Sequence, residues 1–150
     1  MEIDAFLADS VVVAEGKLYA QGAGWNIIRT SATPMRHPRI GLGALVRVAF
    51  TETNQEHFFT VKIIDQDGNA LPIFEAPANV ETVDGKIYEW KGKFNVGRPP
   101  SLAPGDAQII PLAVNIDGLV FPTPTMYSVV ISIDDDEMKR LPMRIQMIGS

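Results

Sequence analysis

The sequence predicts an all-β protein: an antiparallel β-sandwich, immunoglobulin-like in architecture, with about seven to nine strands. Three observations predict it. Apolar residues recur at every second position through several short segments, glycine and proline punctuate the chain throughout, and no long window keeps an uninterrupted helical stripe.

The alternation is clearest where a strand would show one dry face and one wet face. Tyr88, Trp90, Phe94 and Val96 fall on one side of their segment, and Glu89, Lys91, Lys93 and Asn95 on the other. Tyr127, Val129, Ile131 and Ile133 oppose Ser128 and Ser132. Val46, Val48 and Phe50 alternate with Arg47 and Ala49, Phe59, Val61 and Ile63 with Thr60 and Lys62, and Met143, Ile145 and Met147 with Arg144 and Gln146. Antiparallel sheets with one solvated face produce this pattern. Two segments are apolar on both faces, Ala5 to Ala14 and Ile109 to Ile116. They read as strands covered on both sides or as strands at a contact with another chain. Pro111 cannot donate a ladder hydrogen bond, so its strand lies at a sheet edge or is bulged.

Turn chemistry separates these segments. Glu15-Gly16 and Asp67-Gly68-Asn69 read as hairpin turns, Asp84-Gly85 leads into the Tyr88–Val96 strand, and Asp117-Gly118 ends the Ile109–Ile116 strand. Gly97-Arg98-Pro99-Pro100, Pro104-Gly105 and Pro122-Thr123-Pro124 read as loops. With 150 residues and no linker or repeat, a single domain spanning 1–150 is expected.

Composition narrows the function classes. There are no cysteines, which excludes disulfides and thiolate metal sites. No apolar run approaches the ~18–20 residues of a membrane-spanning helix, and Met1-Glu2-Ile3-Asp4 does not read as a secretory signal. The expectation is no membrane insertion and a cytoplasmic location, or a virion-associated one for a phage structural subunit. The net charge of −5 repels phosphate backbones, so no nucleic-acid partner is expected. Arg36, His37 and Arg39 form the one local basic cluster and, between Pro34 and Pro38, read as a solvated loop.

No motif supplies a catalytic centre. Gly22-Ala23-Gly24 lacks the further glycine of a dinucleotide fingerprint, for Ile27 stands there. The imidazoles His37 and His57 have no evident partner, and there is no nucleophile elbow. A carboxylate pair for glycoside hydrolysis depends on separation in space, with Glu52, Glu56, Asp65 and Asp67 as candidates. Asp134, Asp135, Asp136 and Glu137 are the weak metal candidates, since loop carboxylates suit Ca²⁺; they lack the spaced acid-and-glycine pattern of a calcium loop, and a charged hairpin tip that keeps the domain soluble is the favoured reading. No cofactor is expected. Trp25, Trp90, Phe94 and Tyr127 read as core aromatics, Trp25 nearest a rim.

The opening Phe6-Leu7-Ala8-Asp9-Ser10, then Glu15-Gly16-Lys17-Leu18-Tyr19 and Gly22-Ala23-Gly24-Trp25, resembles a family of small uncharacterised bacterial all-β proteins. Phe94-Asn95-Val96-Gly97-Arg98-Pro99-Pro100 with Pro104-Gly105, and Ile110-Pro111-Leu112-Ala113-Val114-Asn115, match its further signatures. Ala23 replaces the middle one of three glycines, and Thr125-Met126-Tyr127 departs from the usual glycine-led entry to the late strand. The resemblance implies a fold and carries no site.

The expected function is therefore non-enzymatic: protein binding or self-assembly, the partner being another protein or a second copy. Val11, Val13, Trp25, Ile109, Ile110, Arg36 and Arg39 are the interface candidates. A small-ligand or calcium-binding module and a carboxylate hydrolase are the alternatives.

Overall fold

The structure is a computed structural model and describes residues 1–149. Its strands are β1 (Glu2–Ala8), β2 (Ser10–Ala14), β3 (Lys17–Gln21), β4 (Ile27–Thr30), β5 (Met35–Ala49), β6 (Glu56–Ile64), β7 (Phe74–Glu75), β8 (Lys86–Ile87), β9 (Trp90–Asn95), β10 (Ala107–Phe121), β11 (Met126–Ile133) and β12 (Asp136–Met147). One 3-10 turn, Phe50–Glu52, joins β5 to β6.

The all-β expectation holds. A three-stranded sheet runs β1-β5-β10 and a five-stranded sheet runs β4-β12-β11-β6-β9; β2–β3 and β7–β8 are separate hairpins. Pairing is antiparallel, except that β4 runs parallel to β12. The period-two residues point inward as their spacing requires. Leu42, Val46, Val48, Val114 and Ile116 of the first sheet meet Phe59, Val61, Ile63, Val129, Ile131, Met143 and Ile145 of the second in one buried cluster. Each such aliphatic side chain contributes roughly 1.5–3 kcal/mol on leaving water. Tyr127 is buried, and its hydroxyl donates to the Thr123 carbonyl at 2.9 Å. Trp90 stands edge-on to Phe59 at 5.8 Å.

Three local expectations are corrected. Ala5–Ala14 is two strands, because the Asp9 N–H turns aside to the carbonyls of Gln21 and Gly22 at 3.0 and 3.2 Å. Arg36, His37 and Arg39 lie in β5 and not in a loop. Asp117-Gly118 does not end a strand: β10 pairs with β5 in one register from Ala107↔Ala49 through to Phe121↔Met35. Gly118 instead reverses the strand's phase. Its φ of +70° lies in the left-handed region that glycine enters without strain. Before it Val114 and Ile116 are buried; after it Leu119 and Phe121 are. The facing position in β5 is Pro38, which has no N–H to leave unpaired. The remaining period-two segments follow their expected alternation with two exceptions: Asp84-Gly85 leads into β8 and the expected Tyr88–Val96 strand starts only at Trp90, leaving Tyr88 exposed, and Met147 at the end of β12 is exposed. β10 closes one edge of its sheet, as Pro111 requires.

The outer face of the three-stranded sheet is shaped by two glycines in β5. The Phe6 ring lies over Gly43, where an added Cβ would stand 2.5 Å from it. Gly41 admits the Ser10 backbone, 3.1 Å from where a Cβ would be. These gaps seat the β2–β3 hairpin, which Asn115 fixes by a two-way amide clasp: Val11 N–H donates to Oδ1 at 3.0 Å and Nδ2 donates to the Val11 carbonyl at 2.8 Å. Gly43→Ala must push Phe6 aside and is expected to cost about 1–3 kcal/mol of stability, seen as a lower urea midpoint. Gly97→Ala, with nothing within 4 Å of the added carbon, should leave the midpoint unchanged.

Candidate functional site

A titratable dyad, buried His57 with exposed Asp134, lies at the end of the molecule where β11 turns into β12. That hairpin loop is Asp134-Asp135, both with positive φ (52° and 69°), the geometry of a two-residue loop whose twist suits the flanking strands. Asp134 reaches back across the sheet. Its Oδ2 lies 2.7 Å from Nδ1 of His57, its Oδ1 accepts the Phe58 N–H at 2.9 Å, and its own N–H donates to the Phe58 carbonyl at 2.8 Å. His57 is buried in β6, and its Nε2 lies 2.7 Å from the Glu52 carbonyl.

A carbonyl only accepts, so Nε2 carries a hydrogen, and Nδ1 shares the remaining proton with a carboxylate. Burial pulls the imidazole pKa down, but the hydrogen bonds to Asp134 and to Glu52 outweigh it, and the net shift is upward from the ordinary 6.5. Asp134 moves below its ordinary 3.8, held by His57 first and the Phe58 N–H second. Both ring nitrogens are thus engaged by hydrogen bonds within the fold. The same end is tied further: the Met1 ammonium meets Glu52 Oε2 at 3.1 Å, and Arg98 donates to the Thr53 hydroxyl at 2.8 Å and the Phe50 carbonyl at 2.9 Å.

The acidic cluster does not converge. Asp134 serves His57, Glu137 pairs with Arg140 at 2.7 Å, and Asp135 and Asp136 are exposed. Among the described residues no three His, Asp or Glu side chains are grouped to hold an ion. The four carboxylates weighed for hydrolysis sit at opposite ends of the nine-residue β6, roughly 25–30 Å apart at ~3.3 Å per residue. Glu52 and Glu56 are at one end, bound to Met1 and Lys93, while Asp65 is turned into the Asp67–Asn69 loop at the other.

The interface candidates scatter. Val11 is buried beneath the hairpin, and Ile110 packs against the core. Trp25 also packs on the core, tilted toward His37 at 6.2 Å. Arg39 makes a double hydrogen bond to Asp117 at 2.6 and 3.1 Å, and Arg36 donates to the Gly118 carbonyl at 2.9 Å. Val13 and Ile109 remain exposed, at 40% and 57%, and the structure adds Leu45, at 38%. Leu45 and Ile109 form a ridge shared by two grooves on the outer face of the three-stranded sheet. Phe6, Lys17, Leu18 and Pro111 line one groove; Glu2, Asp4 and Arg47 line the other. Sequence reading missed Leu45 because its neighbours Val46 and Val48 mark it as part of a core strand, and its wet-face parity was the signal.

The dyad sets a pH dependence. A raised folded-state histidine pKa stabilises the fold fully below the unfolded value of about 6.5, and this is lost as pH rises through the folded value. A depressed Asp134 contributes above its ordinary 3.8 and is lost as pH falls through its lowered value. The contribution is therefore greatest between those ordinary values and fades as pH rises through the raised histidine value. Melting temperatures across pH 5 to 9 should show the decline. Asp134→Asn, which tolerates the left-handed backbone and keeps an acceptor for Phe58, should lower stability at pH 5 by about 1–3 kcal/mol and flatten the alkaline side of the profile.

No helix among the described residues is long and apolar enough to cross a membrane. No curated protein matches the chain. A family model does match, over residues 3–146, nearly the whole length. The chain belongs to that family, a family of unknown function designated DUF6941.

Proposed function

We propose that this chain is a single immunoglobulin-like sandwich domain and serves as a non-enzymatic self-assembly module, its partner a second copy. Strand order supports the architecture. β1, β5 and β10 stand as strands A, B and E, β6, β11 and β12 as C, F and G, and β9 lies beside β6 as an added strand does in variable-type domains. The Tyr127 hydroxyl on the Thr123 carbonyl, at the start of β11, is the tyrosine corner of such folds.

The observation that carries the function is the exposed Leu45–Ile109 ridge. Exposed apolar surface flanked by polar residues marks association sites. The two grooves that share the ridge carry opposite charge, Lys17 in one and Glu2 with Asp4 in the other, of which Arg47 pairs only with Glu2, at 3.7 Å. A two-fold apposition would set Lys17 of each copy against the acids of the other, which is what an isologous contact demands. At the β9 edge of the opposite sheet, Lys91 and Lys93 discourage pairing. The engagement of both His57 nitrogens within the fold supports the non-enzymatic reading.

Sedimentation equilibrium at about 100 μM should find the protein as a dimer, in the range of weak specific interfaces. The Leu45→Asp, Ile109→Asp double variant should sediment as a monomer with its melting temperature nearly unchanged. A wild-type monomer at that concentration refutes the reading.

A further inference from the structure

At the end of the molecule opposite the His57 dyad, a cleft of about 670 Å³ opens between the segment leading into β7 and the far ends of β5 and β10. Its size suits a small ligand. Leu71 and Ile73 are anchored in the core, so that wall is rigid at its base, and Phe74 stands exposed at its lip. Val120 and Pro122 continue the apolar lining on the other side. Into this apolar space come two cations, Arg36 and Lys86.

Neither cation has a carboxylate within 4 Å among the described residues, whereas the acid on the same floor, Asp117, is taken by Arg39 through two hydrogen bonds. Glu75, the other acid of the lining, lies across β7–β8 from Lys86 without forming an ion pair. Arg36 is also held in place: its Nη1 donates to the Gly118 carbonyl at 2.9 Å, and a Cβ at that glycine would stand 3.0 Å from the same nitrogen. The phase reversal at Gly118 is therefore what turns Arg36 and Val120, paired across the ladder, toward the cleft. The remaining guanidinium N–H groups make no hydrogen bond among the described residues, and a planar guanidinium with one edge fixed is suited to grip a carboxylate with the other.

We propose that this cleft binds a carboxylate carried on an apolar body, with Arg36 and Lys86 on the carboxylate and Phe74, Val120 and Pro122 against the apolar part. That chemistry is common to a free medium-chain acid and to a peptide C-terminus ending in apolar side chains. The site shares no residue with the Leu45–Ile109 ridge, so it stands or falls apart from self-assembly.

Amide shifts of ¹⁵N-labelled protein, titrated with octanoate and with an acetylated Leu-Phe dipeptide acid, provide the test. Octanol and the dipeptide amide serve as neutral counterparts. The expected result is saturable movement of Phe74, Gly118 and Val120 with at least one acid and with neither neutral probe. Binding of octanoate alone assigns the cleft to free acids, and binding of the dipeptide acid assigns it to chain ends. Arg36→Gln should weaken binding about tenfold or more, the size of a lost charge-assisted pair; Lys86→Gln, an exposed change that leaves the Gly118 contact intact, should weaken it as well. No saturable shift with either acid, equal shifts with the neutral probes, or unchanged affinity in both variants overturns the proposal.

Discussion

The β5–β10 ladder is the constraint from which most of the molecule follows. Two fifteen-residue strands run antiparallel in a single register, so their two faces are defined over the whole length of the fold. Where Ile40 to Val48 and Ile110 to Ile116 turn inward, the outer face is left to Gly41, Gly43, Leu45 and Ile109, and receives a hairpin and an apolar ridge. Past Gly118 the inward and outward roles exchange, and the outer face becomes the floor of a cleft. A one-residue slip of either strand against the other would turn the core side chains of the slipped strand to solvent, which is why the register is strongly specified.

Much of this pairing was legible in the sequence because period two is a property of the chain itself. Val46, Phe59, Val129 and Met143 are buried where their alternation says they should be. Punctuation was less reliable, since the same glycine serves two purposes. Glu15-Gly16 does close a hairpin, but Asp117-Gly118 bends a strand that continues, and nothing local distinguishes the two. Pro34 and Pro38 likewise suggested a loop around Arg36, although Pro38 faces the one residue of β10 whose backbone is already irregular. The site was legible only in pieces. His57 and Asp134 are 77 residues apart and meet through the adjacency of β6 and β11, which no spacing rule contains. The short strands β7 and β8, and with them the cleft, carried no periodic signal at all.

The two ends of the molecule differ in kind. At the end of the β11–β12 turn, several ionisable groups have internal partners: His57 with Asp134, Met1 with Glu52, Arg98 with Thr53 and Phe50. Hydrogen bonds to charged groups contribute up to about 1.5–3 kcal/mol each where they are shielded from water, so these contacts help to fix the loops at this end. At the other end Arg36 and Lys86 form no ion pair among the described residues. Surfaces with unmatched charge or uncovered apolar area are where a β scaffold can accept something from outside, and the cleft combines the two.

The wide sequence separation of the paired strands has a kinetic consequence. Even the nearest partners in the central ladder, Ala49 and Ala107, are joined by β6 to β9 and their loops, and β1 pairs with β5 only across the whole inserted hairpin and β4. Such contacts yield nothing until long loops have closed, so a chain of this topology searches slowly, on the millisecond-to-second scale of all-β domains. The nascent polypeptide must also carry β5, with its run of apolar residues from Ile40 to Val48, unpaired on its β10 side until β10 has been synthesised.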